Sequence, residues 1–283
     1  MLARPARTIA LEPFFMEFIA GVESELSSRS LALTLQLVDN VQEEVAVYRR
    51  WWGEHRVDGV FMVDLRTNDP RVEELATLGL PAIVVGGPVP DGTLPSVWHD
   101  EKSVVVEAVR YLAALGHVRM ALVSGVIDFV HTTERTAAFR EVTKELGVRS
   151  DVIATDYGPD SGARATRRLL SSPDPPTAIV FDSDLLAVTG LGVALQMGFS
   201  VPGDLSIVGW DDSLISRVVH PPLTAITRDI EAYGASATRR LLAAVNGEPH
   251  GDVEVPPGQL TPRGSTAPPS AARLRRAGRQ GRA

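Results

Sequence analysis

Thr177-Ala178-Ile179-Val180-Phe181-Asp182-Ser183-Asp184-Leu185-Leu186-Ala187, continuing through Gly198 to Leu205-Ser206-Ile207-Val208-Gly209-Trp210-Asp211-Asp212, reads as one strand, helix, strand unit. Its first five residues are short, β-branched and almost wholly apolar, the pattern of a strand buried on both faces of a parallel sheet. Leu185, Val188, Leu191 and Leu195 then recur at helical spacing; Asp182, Ser183 or Asp184 can cap the first turn, and Gly198 ends the helix. Val201-Pro202-Gly203-Asp204 is turn chemistry before a second buried strand. Both strands finish in carboxylates. Ligands of open parallel sheets sit beyond the carboxyl ends of the strands. Asp182, Ser183, Asp184 and Asp211 therefore offer acceptors to a hydroxyl-rich ligand, unless they only cap the helices that follow.

Outward from this unit the alternation continues. Phe14, Phe15, Phe18, Ile19, Val22 and Leu26 mark one helix face behind Pro13; Leu31–Val38 is the next strand; Val41, Val45, Tyr48 and Trp52 mark a helix. Val57–Val63 and Pro81–Val85 are strands, the second closed by Gly86-Gly87. The pattern predicts an α/β protein of two doubly wound parallel-sheet lobes. The N-terminal lobe is expected over 1–98 with 227–250 returning to it, and the C-terminal lobe over 99–226 with 251–264. Residues 265–283, rich in Pro, Ala and Arg, read as a disordered, solvated tail. The aromatic residues Tyr48, Trp51 and Trp52 exceed what one helix face can bury and point to a subunit interface, with core packing as the alternative.

The chain of 283 residues has 44% hydrophobic and 22% charged residues, enough to bury two cores of ordinary size. No stretch approaches the roughly 20 apolar residues that span a bilayer, and no apolar h-region follows Met1, so no membrane partner and a cytoplasmic location are expected. Cysteine is absent, which excludes disulfides and thiolate chemistry. The net charge of −7 coexists with five arginines and no acid in residues 265–283, so the body is more acidic than the whole and would repel nucleic-acid phosphates. Gly190-Leu191-Gly192 lies inside a helix, so no dinucleotide loop follows the strand, and no nucleophile elbow surrounds Ser124-Gly125. The six histidines lack two-ligand helical spacing. No catalytic residue, metal or cofactor is assigned, and no enzyme is expected.

Three blocks, Thr177–Ala187, Gly198–Asp212 and Pro221-Pro222-Leu223-Thr224, together with Gly116-His117-Val118-Arg119-Met120-Ala121, closely resemble the effector-binding domain of the LacI/GalR family of bacterial transcription regulators, a periplasmic-binding-protein-like fold of type 1. The resemblance implies two lobes joined by three crossovers, with a small molecule, usually a sugar or nucleobase, bound between them and shifting their angle. It implies a homodimer that reads operator DNA through a helix-turn-helix upstream of Met1: either Met1 is not the true start, or the chain has lost its DNA-reading end. The positions matching the family's ligand contacts are Glu12 and Phe14 in the first loop, His131 and Arg135 at the start of a second-lobe helix, Ser183 and Asp211 at the two strand ends, and Arg228 after the crossover. Physically, Asp211 can accept two sugar hydroxyls, Arg135 can fork onto a hydroxyl pair, and Phe14 can stack on a ring face or pack in the core. Ser183 stands where the family commonly has Asn, Glu12 replaces a neutral Asn, and Gly86 sits where some members place an acidic ligand contact. The expected effector is a carbohydrate or derivative. The competing readings are a solute-binding protein of a sugar transport system and a sugar sensor that acts without DNA.

Overall fold

Strand and helix alternate along the computed structural model, which describes residues 2–4, 13–89 and 92–270. In chain order the elements are β1 (Leu2–Arg4), α1 (Pro13–Ser27), β2 (Leu35–Leu37), α2 (Val41–Gly53), β3 (Val60–Val63), α3 (Pro70–Leu78), β4 (Ala82–Val85), β5 (Ser96–Trp98), α4 (Glu101–Ala114), β6 (Arg119–Ser124) and α5 (Val130–Glu145). They continue with β7 (Arg149–Ala154), α6 (Pro159–Leu170), β8 (Ala178–Phe181), α7 (Asp184–Gln196), β9 (Ser206–Asp211), α8 (Leu214–Val218), β10 (Thr224–Thr227), α9 (Ile230–Val245), β11 (Val253–Glu254) and β12 (Gln259–Thr261). They fall into two units. The first holds the described residues up to Asp100, with Asp128–His131 and Asp229–Pro256; the second holds Glu101–Ile127, Thr132–Arg228 and the described residues from Pro257 on.

In the first unit the order β11-β5-β4-β3 is parallel throughout, and β1 pairs in parallel with β2. The sheet period of two sorts its side chains: Val60, Met62, Ala82 and Val84 face one core with Tyr48, Trp51 and Leu75, whereas Phe61, Val63, Ile83 and Val85 face the other with Phe15, Phe18, Ile230 and Tyr233. Tyr48 is fully buried and Trp51 nearly so, with Trp52 partly buried against the same cluster. These aromatics are core, not a subunit interface, because α2 turns them inward onto β3 and β4. The strand expected over 31–38 is confined to Leu35–Leu37, where Leu35 and Leu37 are exposed. Helices α1 and α9 touch backbone to backbone: a Cβ on Gly21 would lie 1.9 Å from the Glu231 carbonyl oxygen, and one on Gly234 would lie 2.2 Å from that of Phe18.

A buried ionic cluster ties α2 to α3. Asp69 caps α3 through Arg71 N and accepts from the Arg71 guanidinium at 2.6 Å, while Arg71 Nη1 reaches both oxygens of Glu44 at 2.9 and 3.0 Å. Tyr48 donates its hydroxyl to Glu44. Burial works against the charge of Arg71, but its two carboxylates raise its pKa further; burial pushes Glu44 up despite Arg71.

In the second unit the order is β12-β10-β9-β8-β6-β7, parallel except for β12 against β10. From β6 the chain steps outward to β7 and then returns to β8 on the other side. The gap between β6 and β8 is thus a topological switch point, where carboxyl ends of strands leave a crevice. Gly190, inside α7, is where the helix lies on the Phe181 ring; a Cβ there would come within 2.2 Å of it. The chain stays packed beyond residue 264. Ser265 is fully buried, donates to the Ile207 carbonyl at 2.6 Å and accepts from Thr224 N at 2.8 Å, and His117 Nε2 meets the Ala267 carbonyl at 3.0 Å. The expected disordered tail therefore does not begin at 265: hydroxyl and backbone hydrogen bonds, invisible to hydrophobic patterning, hold 265–267 against β9. Residues 271–283 lie outside the described residues. His117 is a hydrogen-bonded residue after a helix end, and burial pushes its pKa down to about 4.

Candidate functional site

Two guanidinium groups and three carboxylates meet within the second unit. Arg135, on α5 and 4% exposed, donates from Nε to Glu101 Oε2 at 2.8 Å and from Nη1 to Asp182 Oδ1 at 3.2 Å. Its guanidinium lies over the Trp210 ring, 4.1 Å from the centroid. Glu101, the first residue of α4, accepts from Arg228 Nη1 with its other oxygen at 3.1 Å. Arg228, just past β10, donates from Nε to Asp211 Oδ1 at 2.7 Å and makes a second, shorter bond from Nη2 to the same oxygen. Asp182, at the end of β8, also accepts from Gly125 N at 3.0 Å, which closes the switch point between β6 and β8.

Burial works against the charge on such groups, and pairing works for it. For Arg135 burial opposes the charge, yet Glu101 and Asp182 outweigh it and hold its pKa well above the ordinary value. Arg228 is raised in the same way by Asp211 and Glu101. Burial wins at Asp182, whose carboxyl is pushed up despite Arg135. Two polar atoms are left over. Among the described residues, Arg135 Nη2 gives no hydrogen bond and Asp211 Oδ2 receives none.

The residues singled out from the sequence divide between the units. Arg135, Asp211 and Arg228 come together as described. Ser183 is in the second unit too, but its hydroxyl caps α7 by accepting from Leu186 N at 3.3 Å, so its oxygen is engaged in the helix. Phe14 and His131 belong to the first unit, where Phe14 stacks at 6.0 Å on Phe18 and His131 packs 5.6 Å from Phe129. Glu12 lies outside the described residues. Gly86, at the end of β4, has φ +105°, a backbone region that disfavours any side chain there. Glu101 and Tyr157 escaped sequence reasoning. Glu101 sits 34 and 127 positions from its partners with no local motif, and Tyr157 fills the space over Gly125, where a Cβ would meet its ring at 1.8 Å.

Residues 109–266 match the family described as the periplasmic binding protein-like domain. The regulator CelR of Thermobifida fusca is 31% identical over 242 residues, 84% of this chain and 71% of CelR. A solved LacI family transcriptional regulator from Bifidobacterium animalis subsp. lactis is 37% identical with a TM-score of 0.85, covering 91% of this chain and 96% of that one. A CelR–cellobiose complex is 30% identical with a TM-score of 0.84, covering 93% and 83%. The chain belongs to the LacI-type transcriptional regulators and is an effector-binding domain of that family, with the periplasmic-binding-protein-like fold of type 1. Its relatives are transcription regulators, and among the described residues no helix is long and apolar enough to cross a membrane.

Proposed function

We propose that this domain senses a neutral saccharide and transmits its binding to operator DNA. The observation that carries the choice of ligand is the pairing of charges: each guanidinium already has at least one carboxylate at contact distance. A phosphate or carboxylate ligand would either displace Asp211 or Glu101 or sit beside them as a further like charge, at a cost of several kcal/mol. Hydroxyls make no such demand. The unmatched Asp211 Oδ2 accepts from a hydroxyl, and Arg135 Nη2 donates to another or to a ring oxygen. The cellobiose complex of CelR supports a saccharide as the class. Phe14, His131, Ser183 and Glu12 are proposed as further contacts on the family resemblance alone. Calorimetric titration with neutral mono- and disaccharides, nucleosides and sugar phosphates tests this. A neutral saccharide should bind, and recovered sugar should be chemically unchanged, since the role is recognition without turnover. Exclusive binding of a phosphorylated or nucleoside ligand would refute the choice.

The working protein is proposed to be a cytoplasmic homodimer acting through a DNA-reading module. Helix α7 is apolar nearly all round, and its neighbour α8 exposes Leu214 at 72% and Val218 at 69%, with Leu195 at 50% near the end of α7. A helix apolar on every side calls for cover on every side. A second copy of the chain supplies it here, as the family's dimeric habit suggests. Sedimentation should give a dimer for the wild type and a monomer for Leu214→Glu/Val218→Glu; a wild-type monomer would contradict the assignment.

A further inference from the structure

The end of β9 is sharply bent. Asp211 and Asp212 both take left-handed backbone, at φ +78° and +56°, a region most non-glycine residues avoid. One carboxylate on another element brackets the turn. Asp184, in the first turn of α7 and 3% exposed, accepts from Trp210 N at 3.0 Å with Oδ1 and from Ser213 N at 2.6 Å and Ser213 Oγ at 2.7 Å with Oδ2. The turn is wrapped around that carboxylate. Gly209 makes the approach possible, because a Cβ there would lie 2.6 Å from Asp184 Oδ1. Within the same turn Asp212 is fixed separately, by Arg263 at 2.6 and 2.7 Å and Thr227 at 2.9 Å.

We propose that Asp184 is a positioning residue for the ligand contact Asp211, fixing the direction of the Asp211 carboxylate by clamping Trp210 and Ser213 on either side of it. The proposal rests on the assignment of Asp211 to saccharide binding. It makes the grip on ligand depend on the ionisation of Asp184, since a proton on Oδ2 removes the acceptor of two hydrogen bonds. Burial, assisted by the like charge of Asp211 and opposed by the Ser213 bonds, pushes the Asp184 pKa up to about 7. The charged groups that act on it are Asp211 at the end of β9 and Arg263 beyond β12, while the elements that pack against α7 also carry Asp160 and Arg164 on α6 and Arg217 on α8. Of these, Arg263 interacts favourably with Asp184 across the turn.

The sign follows. Above pH 7 the clamp is ionised and closed. As pH falls through about 7 it takes up a proton and ligand affinity drops.

The test measures the dissociation constant of a bound neutral saccharide from pH 8.5 to 5.5 for the wild type, Asp184→Asn and Ser213→Ala, with thermal melts alongside. The wild type should weaken by about tenfold or more across neutrality, as expected for loss of a charge-assisted bond. Asp184→Asn should bind weakly at every pH with a flat profile, and Ser213→Ala should keep the pH dependence with an intermediate affinity. Should Asp184→Asn fail to fold, the wild-type profile and Ser213→Ala decide the matter. A flat wild-type profile, or an Asp184→Asn protein that is folded and binds like the wild type at pH 8, overturns the positioning role. A wild type that binds no saccharide at any pH overturns the saccharide assignment instead.

Discussion

Arg135→Met is expected to lose roughly 3–5 kcal/mol of unfolding free energy and all measurable saccharide affinity. Arg135 is the shared partner of two buried carboxylates, Glu101 and Asp182, and covers Trp210. Removing it leaves Asp182, whose side chain has no exposure, without its counter-charge. The loss should depend on pH. Burial already pushes the Asp182 pKa up, and without Arg135 it must climb further. The folded variant would then hold a proton that the unfolded chain releases near pH 4, so its stability recovers as pH falls from about 8 toward 5. Denaturant melts at both ends of that range measure the effect. Arg135→Lys, which keeps a charge but loses the fork, should not restore binding, because one ammonium cannot reach Glu101 and Asp182 with the same geometry.

The second large effect belongs to the first unit. Arg71→Met should destabilise by a similar ~3–5 kcal/mol, since Glu44 and Asp69 would remain buried without a cation. Which charge matters is open to a direct check: adding Glu44→Leu and Asp69→Asn to Arg71→Met should recover most of the loss, because an apolar replacement removes the desolvation cost while Asn keeps the α3 cap. Chemical denaturation of the single and triple variants measures this. A triple variant no more stable than Arg71→Met would mean that packing, not charge burial, sets the cost.

What the sequence made legible is what period and punctuation encode. The run Ala178–Phe181 and the helix after it follow from apolar spacing alone, and the strand ends at Asp182 and Asp211 follow from where that spacing stops. The doubly wound order follows from the alternation, and Gly190 as a helix residue rather than part of a phosphate loop follows from its position within the leucine pattern. What stayed hidden was set by contacts distant in sequence. Glu101 looks like any helix-opening acid until the fold brings Arg135 and Arg228 to it. Ser183 was readable both as a cap and as a ligand contact, and only the fold shows its hydroxyl engaged as the cap by Leu186 N. Trp51 was ambiguous between surface and core for a physical reason: one helix face can bury more aromatic area than usual when two β-strands, β3 and β4, both present small or flexible side chains such as Ala82 and Met62 to it. Ser265 and Ala267 are held by hydrogen bonds, which leave no periodic trace.

The central claim is that the Asp211 carboxylate, at the end of β9, grips a sugar hydroxyl. The most direct measurement is the affinity of Asp211→Asn for the saccharide that the wild type binds, by calorimetry at pH 8. The variant leaves Arg228 paired with Glu101 and should fold normally, while binding about 10- to 100-fold more weakly through loss of a charged acceptor. A folded Asp211→Asn protein with wild-type affinity would contradict it.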